Sequence, residues 1–245
     1  MRYLLKITYD GSNFNGYQIQ PNCRTVQLEL QTALAVILKE NVTCVASGRT
    51  DAGVHAIGQC VHFDTNNAKV SAERIEKSLN GILPDDVRVL QCQESDINAR
   101  FDPKQKTYIY KMYAFKTDLP LENNRSLNIR KELNIHLVKK GCKFLVGKHD
   151  FKNFCASGSG AATTVRNVFD CLIKKYTEYE NIIFYKLEIT GDGFLYKMVR
   201  NIVGLLIELG HKKISLKEFK EFAYGMTAKK YTVAPYGLYL YDVKY

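Results

Sequence analysis

The sequence predicts an α/β (α+β) protein made of two ferredoxin-like halves, each running β-α-β-β-α-β. Three observations carry that prediction. Segments that alternate apolar and polar residues, the mark of half-buried strands, recur along the whole chain. Amphipathic stretches opened by Thr or Ser lie between several of them, as helices do. The order of elements in residues 105–245 also repeats that of residues 1–104, although the two halves share no convincing sequence identity. Side by side, such halves would form a mixed, mainly antiparallel sheet with a cleft between them, the expected place for a site.

In the first half, Arg2–Asp10 alternates like a strand. Thr25 caps a predicted helix running to about Lys39, with Val26, Leu30, Ala33, Leu34, Ile37 and Leu38 on one face. Strands are predicted over Thr43–Ser47 and Gly58–Asp64, flanking a loop at Gly48–Ala56. Ser71 caps a second helix to about Asn80, Pro84-Asp85 turns the chain, and Val87–Gln93 supplies a strand. In the second half, Thr107–Phe115 is a tyrosine-rich strand, Ile135–Val146 a helix, and Thr164–Tyr176 with Ile182–Thr190 a hairpin. Leu195–Leu209 reads as a strongly apolar helix, Ser215–Tyr224 as a shorter one, and Gly237–Tyr245 as a closing strand. Leu119–Asn128 and Ala156–Gly160 read as loops; the latter is either an ordinary surface loop or a connector able to close over a ligand.

Composition narrows the function class. No apolar run is long enough to cross a bilayer, and the first seven residues alternate where a signal peptide would be continuously apolar, so a mature cytoplasmic protein is expected. Seven scattered cysteines with no Cys-x-x-Cys pair speak against a disulfide framework and a structural zinc site. The net charge of +10 is unevenly placed. Residues 1–104 hold 11 basic and 12 acidic side chains, leaving 24 basic against 13 acidic in residues 105–245. A one-sided basic surplus suits a polyanionic partner.

Few residues are placed to do chemistry. Asp51 lies between Gly48 and Gly53, whose freedom can hold a short side chain at a cleft. Arg49 and Thr50 offer donors beside it, and a neighbouring cation favours the ionised form a nucleophile needs. An aspartate beside glycines also commonly bonds its own turn, so both roles are open on the residues alone. Asp51 and His55 lack the further ligands of a metal site, and no phosphate-cradling glycine motif or nucleophilic Ser/His or Cys/His arrangement is present. The expectation is a site with no metal and no cofactor. Tyr108 and Tyr110 share one side of a strand, as core rings or as a stacking platform for a base. Arg200 falls at the flank of the apolar helix, where a charge must reach solvent or meet a carboxylate.

Taken in order, Tyr9-Asp10-Gly11-Ser12, Thr25-Val26-Gln27, Gly48–Ala56 with Gly58-Gln59 and His62-Phe63, Ala99-Arg100-Phe101, Tyr108-x-Tyr110, Met198–Gly204 and Gly237-Leu238-Tyr239-Leu240 resemble the tRNA pseudouridine synthase A family along essentially the whole chain. The resemblance implies an isomerase that converts uridine to pseudouridine on the 3′ side of the anticodon stem-loop of tRNA (positions 38–40), without a cofactor and as a homodimer. It places Asp51 on the family's nucleophile and Arg49 on the arginine of the same loop. Tyr108 falls on the aromatic residue at the target base, Arg200 on the aspartate's basic partner, and Leu238 on an apolar pocket residue. Two positions depart from the family pattern: Tyr17 stands where Trp is usual, and Asn98 where His is usual before Ala99. Neither carries the nucleophile, but both bear on the choice of RNA. A non-catalytic RNA-binding protein and a metal-dependent nuclease are the rival readings.

Overall fold

The computed structural model describes residues 1–67, 70–158, 160–179, 181–225 and 231–245; Ser159 of the predicted 156–160 connector lies outside them. The chain forms two compact units, Met1–Lys104 with Tyr239–Tyr245, and Gln105–Leu238.

The first unit contains β1 (Arg2–Tyr9), α1 (Val26–Leu38), β2 (Val45–Ala46), β3 (His55–Asp64), α2 (Ala72–Ile82) and β4 (Val87–Glu94), in the predicted order. β1 lies between β4 and β3 and is antiparallel to both, while β2 pairs with β3. Alternate β1 residues Tyr3, Leu5 and Ile7 are fully buried with Val61 and Phe63 of β3, Leu30 and Leu34 of α1, and Ile75 and Leu79 of α2. Each such side chain contributes about 1.5–3 kcal/mol relative to exposure. The Thr25 and Ser71 side chains accept the N–H groups of Leu28 and Arg74, so both predicted caps are present.

Two strands differ in length from the sequence reading, for identifiable reasons. β2 is two residues rather than five, because side chains of α1 satisfy the backbone just before it: Gln31 accepts the Cys44 N–H and Gln27 donates to the Cys44 carbonyl. β3 begins three residues early, at His55, because Tyr239 and Leu240 near the end of the chain pair in parallel with His55 and Ala56.

The second unit contains β5 (Gln105–Ala114), β6 (Leu127–Asn128), α3 (Ile135–Leu145), β7 (Gly147–Asp150), β8 (Val165–Thr177), β9 (Ile183–Gly191), α4 (Met198–Gly210) and α5 (Leu216–Ala223). The strand β10 (Leu238–Lys244) follows. Antiparallel pairing runs β5-β9-β8-β7, and β6 pairs in parallel with β5. β7, whose Gly-Lys-His-Asp sequence has no strand pattern, forms by pairing with the start of β8. α4 starts at Met198 rather than Leu195, since Lys197 adopts a left-handed conformation with φ 57°. Ser215 and Glu218 form a capping box at α5. α4 is buried along nearly its whole length, with Met198, Ile202, Val203 and Leu209 fully covered. No described helix is long and apolar enough to cross a membrane.

Candidate active site

The loop carrying Asp51 is fastened at both ends and from beneath. At its start, Ser47 N–H donates to the Cys60 carbonyl at 2.8 Å, and the Ser47 hydroxyl donates to Gln59 at 2.6 Å. The other end of the Gln59 amide donates to the Gly48 carbonyl at 2.7 Å. Gln59 can turn back in this way because the β1–β3 register slips between Ile7 and Tyr9, adding a residue to β3 beside the loop. Midway, the buried hydroxyls of Thr50 and Tyr9 meet at 2.8 Å. Burial raises the Tyr9 phenol to about 12, against the lowering effect of its bonds to Thr50 and Gln59, so it stays neutral at physiological pH.

The segment 10–17 holds the loop's other side. Tyr17 N–H donates to the Thr50 carbonyl at 3.1 Å, and Gly53 N–H to the Phe14 carbonyl at 3.3 Å. Val54 N–H closes the turn onto the Asp51 carbonyl at 3.1 Å. Contact is so close that two positions must be glycine. A Cβ on Gly11 would stand 2.1 Å from the Val54 oxygen, and one on Gly16, at φ +90°, 2.6 Å from the Thr50 oxygen. Past the turn, the buried His55 ring accepts the Gly11 N–H through Nδ1 at 3.0 Å and stacks on Tyr239 with centroids 4.5 Å apart.

Inward-facing Thr50 thus anchors the loop between its neighbours, leaving Arg49 exposed and Asp51 half-buried. This arrangement suits a carboxylate that must meet a macromolecule: its backbone is fixed while its side chain stays reachable. Of the supporting residues, Tyr9, Gly11 and Gln59 stand in motifs that carry the family resemblance, but their hold on the loop shows only in the fold. Gly16 and Phe14 carried no local signal at all, since only the fold brings them to the loop.

The remaining predicted site residues belong to the second unit. Tyr108 on β5 is 9% exposed and meets Phe194 edge-on at 5.2 Å. Tyr110 is fully buried, with its hydroxyl donating to the Ala234 carbonyl at 2.7 Å, which makes it a core residue. Arg200, near the start of α4, is half-buried and donates through Nε to the Val233 carbonyl at 2.8 Å, a main-chain acceptor its sequence position did not announce. Leu238, at the start of β10, is buried and donates its N–H to the Pro235 carbonyl. Tyr17 is buried behind the loop, and its hydroxyl has no hydrogen-bond partner among the described residues. No three His, Cys, Asp or Glu side chains among those residues are grouped so as to hold a metal ion.

Comparison with known proteins gives a consistent result. The family model described as tRNA pseudouridine synthase matches residues 6–102 and 142–245. The chain is 41% identical to tRNA pseudouridine synthase A of Bacillus subtilis (strain 168), an alignment covering 100% of this chain and 99% of that protein. It is 39% identical to the protein of the same name from Thermoanaerobacter sp. (strain X514), covering 99% and 98%. It is 40% identical to that of Caldicellulosiruptor saccharolyticus, covering 99% and 98%. Among solved structures, one of an archaeal box H/ACA sRNP Nop10-Cbf5 complex matches with a TM-score of 0.33 and 11% identity over 84% of this chain and 44% of the other. That likeness is too weak to bear on fold or function.

Proposed function

The chain belongs to the tRNA pseudouridine synthase family and isomerises uridine in tRNA to pseudouridine; we propose that Asp51 is its nucleophile. The observation that carries this reading is the loop itself. Tyr9, Phe14, Tyr17, Gln59 and Cys60 converge to fix the backbone on either side of Asp51, while its side chain remains only half-buried. A structural aspartate needs no such support.

The reaction breaks the bond between the ribose C1′ and N1 of the uracil, turns the base, and forms a bond from C1′ to C5. The proton at C5 leaves and N1 gains one, so atoms and electrons balance without hydride transfer or hydrolysis. The pathway therefore requires no metal or cofactor for its stoichiometry. An ionised Asp51 begins it by attacking the sugar or the base, or by assisting loss of a sugar proton. The target base must leave its stack to reach a carboxylate, and a base so displaced needs an aromatic wall. By family resemblance, Tyr108 supplies that wall, Arg200 and Arg49 accompany the aspartate and the RNA, and Leu238 lines the pocket. The same resemblance assigns the substrate uridines to the 3′ side of the anticodon arm and the working form to a homodimer, and the apolar patterning of the sequence suits a cytoplasmic location.

The test is release of tritium from tRNA labelled at C5 of uridine, with no added metal. Wild-type protein is expected to release label, and Asp51→Asn to release none while binding tRNA with nearly unchanged affinity. Release by Asp51→Asn at the wild-type rate would remove Asp51 from the reaction.

A further inference from the structure

The turn at 98–102 is built to present a single aromatic ring. Phe101 is 75% exposed, more than any other large hydrophobic side chain among the described residues. Its backbone is nonetheless held from several directions. The Asn98 side-chain oxygen accepts the N–H groups of Arg100 at 3.0 Å and Phe101 at 3.3 Å. The Asn98 carbonyl accepts the Asp102 N–H at 3.1 Å, and the Asp102 carboxylate accepts the Asn98 N–H at 2.7 Å. Beneath the turn, fully buried Ala99 donates to Nδ1 of His62 at 2.9 Å and accepts from the Tyr245 hydroxyl at 3.1 Å. The Arg100 guanidinium sits over the Phe101 ring, 5.2 Å from its centroid.

Rigid support for a side chain that is left in water makes sense when the side chain has a partner elsewhere. The chain neighbours of Phe101, namely Arg100, Asp102 and Lys104, are all exposed and charged, a setting less suited to an apolar protein partner. One aromatic face with a guanidinium plane against it is instead the surface on which an unpaired nucleobase stacks. We propose that Phe101, with Arg100, is a base-stacking contact for the RNA substrate, on a turn separate in sequence from the Asp51 loop. The inference rests on the RNA-modifying reading above. It also gives Asn98 a role: the short amide makes two bonds to the turn's own backbone, which places the ring.

The chain contains no tryptophan, so Phe101→Trp introduces a single fluorescent reporter at the proposed contact. Titration of this variant with unmodified tRNA is expected to quench the fluorescence saturably, because a stacked base quenches indole. Phe101→Ala is expected to raise KM for tRNA roughly tenfold or more with kcat retained, as loss of one base stack implies. Its melting temperature should stay at the wild-type value, since the ring supports no core. Three results would overturn the inference: no quenching under conditions where wild-type protein binds tRNA, an unchanged KM for Phe101→Ala, or a fluorescence change that tracks protein concentration without RNA, which would assign the ring to self-association. Tritium release separates this from the parent reading. Wild-type release together with an indifferent Phe101 removes only the stacking contact. Saturable quenching without release removes the catalytic reading and leaves the contact standing.

Discussion

Tyr17 places a phenol where its hydroxyl is buried and finds no hydrogen-bond partner among the described residues. Burial pushes that phenol well above its ordinary pKa, so it stays neutral and its unmet hydrogen bond is the whole cost. Leaving a buried polar group unpaired costs about 1–3 kcal/mol. Tyr17→Phe is therefore expected to stabilise the protein by about 1 kcal/mol and to raise the melting temperature by about 2–4 °C in a thermal scan. An unchanged or lower melting temperature would mean the hydroxyl is satisfied in solution. The sequence marked Tyr17 as unusual only by resemblance. Its burial follows from packing behind the Asp51 loop, which no local pattern announces. Asp51 itself was ambiguous for the same reason: an aspartate between glycines looks alike whether it serves its own turn or a substrate. The residues that hold its loop, Tyr9, Phe14, Gly16 and Gln59, lie up to 42 positions away in the chain.

Among the elements, the segment 10–17 has no regular strand or long helix, yet it sets the geometry of the loop across from it. Gly16→Ala tests this directly. The added carbon would meet the Thr50 carbonyl at 2.6 Å in a backbone conformation that side chains rarely adopt, so the loop must shift. We expect kcat/KM for tritium release to fall by roughly a hundredfold, as displacement of a catalytic group by about 1 Å implies. Quenching of the Phe101→Trp reporter in the same background should persist. A Gly16→Ala enzyme of normal activity would show that the loop does not depend on this segment. Helices were legible because their periodicity and caps are local, as at Thr25 and Ser71. Strand ends were less so. β2 gave up its first residues to glutamine side chains of α1, and β3 gained its first residues from a partner some 180 positions downstream.

On the scale of the whole molecule, the basic surplus of residues 105–245 has a structural expression. In the register of the second unit, Lys111 of β5 and Lys174 of β8 both stand opposite Lys186 of β9, forming a row across three strands. Like charges directly opposed weaken a sheet, and Glu188, 3.6 Å from Lys186, is a counter-charge beside the row. A row of cations on this spacing suits a polyphosphate. Lys174→Glu is expected to weaken tRNA binding and to reduce the slope of log affinity against log salt by about one. An unchanged slope would place the phosphate contacts elsewhere. The charge asymmetry was visible in composition, whereas the alignment of three lysines required the register.

The pairing of Tyr239 and Leu240 with His55 and Ala56 also bears on how the protein is made. Residues some 180 positions downstream complete the sheet on which the Asp51 loop is mounted, and Tyr239 supplies the ring against which His55 stacks. The first unit, whose other strands lie within residues 1–104, keeps an open strand edge at His55 and Ala56 until residues 239 and 240 have been synthesised. A chain cut short before Tyr239 therefore lacks this support for the segment that carries Asp51.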